Sequence, residues 1–368
     1  MILSLALILV LLAIVVALFL YLNPSFGGAT TAVQKARYEQ SAQFKDGKFV
    51  NNIPISLEMS ASDMLSLMYK YIQPPPLTIP DRAIPIETMA EQEIKDYTGP
   101  TRIYWFGHSA FLMQIDGMNI MIDPMLGEVP APHTWLGTER FNELLPLDID
   151  ELPHLDAVLI SHDHYDHLDY PTIMRLKDQV NRFYVPLGVA AHLQAWGIDE
   201  SKIMELDWWQ STELSYLSFT CTPAQHFSGR ALSDRKRTLW SSWIIQSKSE
   251  RIYFSGDSGY SPHFEDIGER YGPFDLALLE CGQYNILWPE VHMFPEETVQ
   301  AGLDLQAKLI MPIHWGAFKL STHPWNEPAY RISKAAEAAQ LPILIPKIGE
   351  SFSPRDSLFT NSQWWISR

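Results

Sequence analysis

The chain has 368 residues, 46% of them hydrophobic and 12% aromatic, enough for one large core or two modest ones. A formal charge of −16 and the lack of any Lys/Arg run exclude a nucleic-acid binder built on a basic stripe. With only two cysteines, Cys221 and Cys281, and no CxxC pair, a disulfide scaffold is excluded and any metal must rely on His and carboxylates.

The first element is an unbroken apolar run from Ile2 to Leu22 whose only polar residue is Ser4. About 20 apolar residues span a bilayer core, whereas a signal peptide has a shorter apolar stretch behind a basic start. The run predicts a retained transmembrane anchor over residues 1–23, with Gly27, Gly28 and Ala29 leaving cleavage open. Lys35 and Arg37 follow it, so the positive-inside rule places the rest of the chain in the cytoplasm. Expected localisation is therefore a membrane, reached by a single-pass N-terminal helix.

Residues 24–100 form a lead-in rich in Pro and polar residues. Within it, Ser60 to Ile72 predicts a short helix, capped by Ser60 or Ser62 and stopped by Pro74, Pro75 and Pro76. Met64, Leu65, Met68 and Ile72 share one face, which is expected to pack on the domain. The alternative is a Met-rich surface for lipid tails.

From residue 101 to 368 the pattern is one of short apolar runs between turns. Candidate strands are Ile103–Phe106, Phe111–Ile115, Ile120–Ile122, Ala157–Ile160, Phe183–Pro186 and Leu217–Thr222, then Trp243–Gln246, Ile252–Ser255, Leu276–Leu279 and Leu309–Ile313. Helical stretches are Tyr170–Gln179, Pro295–Leu305 and Ala329–Ala339. Hairpin-like strands first, then strands alternating with helices, predict an α/β domain of two packed sheets with helices outside.

Within this pattern, SHDHYDHLD (Ser161–Asp169) directly follows an aliphatic run. The spacing of His162, His164 and His167 arises by chance in roughly one such chain in a hundred. His226, Asp257 and His314 also lie just past the ends of apolar strands. Zinc takes about four N or O ligands. Five His and two Asp therefore suffice for two ions if a carboxylate bridges: His162, His164 and His226 on one, Asp166, His167 and His314 on the other, and Asp257 between them. Such a pair clamps substrate oxygens and lowers the pKa of a water toward about 7.

The run H-x-H-x-D-H, followed by a distant His, an Asp in a Gly-Asp turn and a last His, resembles the metallo-β-lactamase superfamily. That resemblance implies a four-layer αβ/βα sandwich with a dinuclear site at one edge. Trp105-Phe106-Gly107-His108-Ser109, Glu205-Leu206-Asp207-Trp208-Trp209 and Pro223-Ala224-Gln225-His226 are similar to its N-acylphosphatidylethanolamine-hydrolysing phospholipase D branch. So are Ser228-Gly229-Arg230, Leu239-Trp240, Gly256-Asp257-Ser258-Gly259-Tyr260 and Ile313-His314-Trp315-Gly316. The resemblance runs from about Arg102 to Glu327 and implies the same seven ligands. It also places His292 beside the metals as a catalytic, substrate-contacting histidine. The chain departs from the branch at Cys281–Pro289, CGQYNILWP, where a basic residue is expected.

Three residues are secondary candidates. Asp123 is read as an acceptor that orients a ligand His or as a turn residue before Pro124, His108 as a cleft-lining residue or part of a solvated turn, and Arg230 as a surface ion pair or, alternatively, a partner for a substrate phosphate. The expected activity is zinc-dependent, phospholipase D-type cleavage of a phosphodiester in an N-acylated phospholipid, with Asp166 or a water protonating the leaving alcohol. Hydrolysis of a soluble ester, a lactone or a sugar phosphate is the alternative, and a non-catalytic metal-stabilised binding module is a third. Expected partners are the lipid or other ester, the membrane through the N-terminal helix and a second copy of the chain, with no nucleic acid.

Overall fold

The central strands are apolar at nearly every position because each has a core on both sides. Ile103 and Trp105 enter one cluster while Tyr104 and Phe106 enter another, and the same alternation separates Phe111, Met113 and Ile115 from Leu112. The computed structural model describes residues 2–231, 233–355 and 361–366. In chain order the first elements are α1 (Ile2–Leu22), α2 (Ala32–Tyr38), β1 (Phe44–Lys45), β2 (Lys48–Phe49), α3 (Ala61–Ile72) and α4 (Glu91–Lys95). Then come β3 (Arg102–Trp105), β4 (Phe111–Ile115), β5 (Met118–Ile122), β6 (Ala157–Leu159), α5 (Tyr170–Leu176), β7 (Phe183–Pro186), α6 (Ala190–Ala195) and β8 (Ile203–Leu206). The second half holds β9 (Ser211–Leu214), β10 (Leu217–Thr222), β11 (Ser242–Gln246), β12 (Arg251–Phe254), α7 (His263–Tyr271), β13 (Leu276–Glu280), α8 (Pro295–Asp304), β14 (Ile310–Ile313), α9 (Glu327–Ala339) and β15 (Ser351–Phe352).

A seven-stranded sheet runs β15-β3-β4-β5-β6-β7-β8 and a six-stranded sheet runs β14-β13-β12-β11-β10-β9. The main core lies between them and under α7, α8 and α9, while α5 and α6 cover the outer face of the seven-stranded sheet. The order is thus helices, sheet, sheet, helices. Pairings β5–β6, β6–β7, β12–β13 and β13–β14 are parallel, so the carboxyl ends of these strands gather at one edge. That edge is where loops of open α/β sheets build sites.

Two expectations about the N-terminal region are overturned. Ile2–Leu22 is helical, but among the described residues no helix is long and apolar enough to cross a membrane. The transmembrane helix over 1–23, the membrane contact through it and the single-pass localisation are withdrawn. The carboxyl end of α1 is seated on protein instead. Phe19 packs 5.6 Å from Phe26 and 5.9 Å from Trp135, and the Asn23 amide donates to Pro132 O at 2.8 Å.

The face of α3 does not pack on the domain either. Met64, Leu65, Met68 and Ile72 are 54%, 67%, 54% and 76% exposed. Ser60 caps the helix as expected, accepting from Asp63 N at 3.1 Å. Tyr71 ties its end to the domain by donating to Leu320 O at 2.7 Å, which leaves the apolar stripe outward. The rest of the lead-in is part of the fold, since Tyr38, Phe49 and Ile84 belong to the main core.

Among the elements absent from the sequence-based list, β8 is instructive. Glu205 interrupts its apolar run, but the carboxylate is satisfied inside, accepting from Gly188 N at 2.6 Å and from the Tyr38 hydroxyl at 2.9 Å.

Candidate metal centre

Strand ends deliver every member of the site. From the seven-stranded sheet, β3 leads to His108, β5 to Asp123 and β6 to the loop of His162, His164, Asp166 and His167. From the six-stranded sheet, β10 leads to His226, β12 to Asp257 and β14 directly to His314. The two sheets are stitched at this edge: His108 N donates to Trp315 O and His314 N to His108 O, both at 2.9 Å. His108, Asp123 and His314 have φ of 54°, 39° and 68°, left-handed values that are uncommon for non-glycine residues and that Asp and His adopt more readily than most. Gly256 also has positive φ, and a Cβ there would meet Ser161 Cβ and Ser241 O at 2.7 Å. Glycine before Asp257 is what lets the two ligand loops approach.

The ligand atoms form two abutting groups. His162, His164, His226 and Asp257 make one; His108, Asp166, His167 and His314 make the other, each with ligand atoms within 4.8 Å of one another. Asp257 faces both. Its Oδ1 lies 3.1 Å from His167 Nε2 and 3.0 Å from His314 Nδ1, and its Oδ2 is 3.8 Å from the Nε2 atoms of His162 and His226. The seven ligand candidates are therefore together, partitioned as the spacing suggested. His108 joins the second group by donating from Nε2 to Asp166 Oδ2 at 2.8 Å.

These groups fit divalent cations. His167 Nε2, Asp257 Oδ1 and His108 Nδ1 are buried without a hydrogen-bond partner, and such orphans are costly unless something fills the gap. Burial holds His162, His226 and His314 well below the usual histidine range and His164 down to about 4, which keeps these imidazoles neutral and able to ligate. His167 goes the other way. Burial opposes its charge, but the carboxylates of Asp257, Asp166 and Asp123 push its pKa well up. An imidazole forced to hold a proton among three carboxylates marks a place short of positive charge.

Asp123 lies behind this group. It accepts from Ser161 N at 2.7 Å and Ser161 Oγ at 2.5 Å, and His167 Nδ1 donates to it at 2.7 Å. His167 Nε2 is thereby turned toward Asp257. Asp123→Asn is expected to weaken metal affinity about 10–100-fold with little change in secondary structure, measured by competition with a chelating dye.

The site also predicts a pH dependence. Burial pushes Asp257 up to about 6, so a proton competes for that carboxylate in mildly acidic solution, in addition to the one held by His167. Metal affinity is expected to fall with falling pH, more steeply below about pH 6. An affinity that is flat between about pH 5 and pH 7 would contradict this charge distribution.

Arg230 is not in the cleft. It is 3% exposed, and its guanidinium donates to Ser25 O, Asp163 O and Leu168 O at 2.8, 2.6 and 2.7 Å. The substrate-phosphate role read from the sequence is therefore replaced by a clamp on the ligand loop. Tyr165 returns the contact by donating to Arg230 O at 2.5 Å. Asp163 completes the clamp by accepting from Gly229 N and Thr238 Oγ1, each at 2.8 Å.

His292 stands at the rim, its ring stacked on His314 at 5.2 Å and edge-on to His226 at 5.1 Å. Two residues outside the sequence-based set also act here. Asn51, from the lead-in, donates to His226 O at 2.8 Å and accepts from its N–H at 3.2 Å. Glu280, the last residue of β13, is fully buried against His292. Burial pushes its carboxyl well up while backbone N–H groups pull it down. Nothing local marks Asn51. Glu280 carried a usable signal, a carboxylate at the carboxyl end of an apolar strand, in the same setting as Asp123.

Two mixed sheets carrying convergent His/Asp groups at one edge define a candidate metal-dependent enzyme. A profile described as a beta-lactamase superfamily domain matches residues 118–315. An uncharacterized protein of Mycobacterium tuberculosis is 40% identical over 93% of this chain and 92% of its own length. N-acyl-phosphatidylethanolamine-hydrolyzing phospholipase D 1 of Caenorhabditis elegans is 31% identical over 71% of this chain and 76% of its own. The solved metallo hydrolase Igni18 of Ignicoccus hospitalis has a similar fold, with a TM-score of 0.51 and 24% identity over 69% of this chain and 98% of its own. The chain belongs to the metallo-β-lactamase superfamily.

Proposed function

We propose that the protein is a dinuclear zinc hydrolase that cleaves a phosphodiester in an N-acylated phospholipid, in the manner of a phospholipase D. The observation that carries the reading is Asp257, whose two oxygens face two separate ligand groups. The substrate class is supported by similarity to the Caenorhabditis elegans phospholipase and by the exposed apolar stripe of α3. Tyr71 and Leu320 place that helix near the His314 loop, where an acyl chain could lie along it.

His162, His164 and His226 would hold one ion and Asp166, His167 and His314 the other, with Asp257 shared. When bound, the pair supplies charge that stabilises the phosphoryl oxygens and a water acidified to near neutral pKa. The chain's own residues do the rest. Asp123 keeps His167 aimed, and the Arg230 clamp holds the ligand loop in register. His108 fixes the Asp166 carboxylate, the more exposed of the two candidate aspartate ligands. Cleavage joins the oxygen of water to phosphorus, breaks the bond to the alcohol and returns a proton to that alcohol.

The test is a lipid-extract screen with zinc-loaded protein, products read by mass. Release of N-acylethanolamines and phosphatidic acid is the expected result. Turnover of soluble esters or lactones with no release from any N-acylated phospholipid would overturn the substrate class while leaving the hydrolase intact.

A further inference from the structure

The stretch Cys281–Pro289, CGQYNILWP, carries no basic residue, but one of its members reaches the metal centre by another route. Gly282 runs against the backbone of the second ligand group, where a Cβ would meet His314 O at 1.9 Å. The next residue, Gln283, is buried and has a left-handed φ of 58°. Its side-chain amide lies across the loop that follows β14. Nε2 donates to His314 O at 3.3 Å and to Phe318 O at 3.1 Å, and Oε1 accepts from Leu320 N at 2.9 Å. Its own backbone is held in turn: the N–H donates to His323 Nε2 and the carbonyl accepts from Trp288 Nε1, both at 2.9 Å. An amide suits this place because it offers two donors and an acceptor in one plane. An aliphatic side chain would leave two carbonyls and an N–H without partners.

The loop under that amide reaches the second ligand group twice. It begins with His314, whose left-handed φ of 68° is costly for a residue with a Cβ and persists where neighbours hold it on several sides. The His314 N–H is held by His108 O and its carbonyl by Gln283. Farther along, the Phe318 ring stands edge-on to His108 at 5.5 Å, and His108 Nε2 donates to Asp166 Oδ2. The hydrogen bonds of Gln283 do not extend to His162, His164 or His226. We infer that Gln283 is a positioning residue for the second metal ion alone, an inference that rests on the two-ion reading above. It sets His314 from one side and, through Phe318 and His108, the Asp166 carboxylate from the other.

Gln283→Met tests this, since methionine keeps the length and the burial but loses both donors and the acceptor. Zinc is titrated into metal-depleted protein against a chelating dye, and ¹⁵N-histidine spectra show which rings each equivalent reaches. The wild type is expected to take up two ions. In the variant one ion should bind within about twofold of the wild type and the other about 10–100-fold more weakly. The second equivalent should then fail to shift His167 and His314, while the first still shifts His162, His164 and His226. Ser321→Ala is the control, because Ser321 Oγ donates to Tyr284 O at 2.8 Å and so joins the same two segments by a bond that bypasses His314. Both affinities should survive it. Should the methionine variant fail to fold, Gln283→Asn, whose amide is one methylene short of the loop, takes the same reading. Unchanged affinities, an equal loss of both ions or the same selective loss in Ser321→Ala would each overturn the inference. A wild type that takes up a single ion would overturn the dinuclear reading, and this inference with it. No turnover is measured, so the identity of the substrate does not enter.

Discussion

Asp257→Ala is expected to lower hydrolysis by at least about 10³-fold and to reduce bound zinc from two ions per chain to one or fewer. Each of the other proposed ligands serves one group, whereas the Asp257 oxygens lie against four histidines in both groups. Its loss removes a donor from each and would leave two cations to repel each other without the shared negative charge between them. The alanine has no packing defect to confuse the result, because the carboxylate faces the site and the backbone turn is set by Gly256. Zinc is read by metal analysis of dialysed protein, and turnover with the substrate found in the screen. Two tightly bound ions in the variant would show that Asp257 does not bridge.

Arg230→Ala is the second large effect, and it falls on stability. The guanidinium is buried and donates to three backbone carbonyls that belong to two different segments of the chain. Removing it leaves those carbonyls and the Asp163 environment without their partner, at a cost of about 3–5 kcal/mol. Denaturant unfolding should show the loss directly, with bound zinc easier to strip because Asp163 and Leu168 flank the ligand histidines. A rise in KM with unchanged stability would instead place Arg230 at the substrate, as its sequence context suggested.

Those two residues show how unevenly the site was legible. The seven ligand candidates could be picked out because donors that follow a buried strand have a local grammar, in which apolar run, turn residue and donors sit within a few positions. Asp123 obeyed the same grammar, one residue past β5. Arg230 did not, since an Arg in a Gly-rich turn looks the same whether it points to a substrate or to the carbonyls of its neighbours. The N-terminal run also misled, because apolar length was read without the contacts that seat its carboxyl end on Trp135 and Pro132. For α3 the cap was legible and the burial was not.

What the sequence determined by itself, then, was the alternation that buries both faces of the strands, the donor set at their ends and its division between two groups. These follow from the tight spacing of residues 162–167, from the recurrence of His226, Asp257 and His314 just past apolar strands, and from side-chain chemistry. Only the tertiary structure decided that both oxygens of Asp257 are used, that Arg230 turns inward, that Asn51 from a remote lead-in holds His226, and that Glu280 reaches His292. Each of these depends on which segments the two sheets bring into contact at their shared edge. Partner choice and burial at such distances are properties of the packed fold rather than of any stretch of chain.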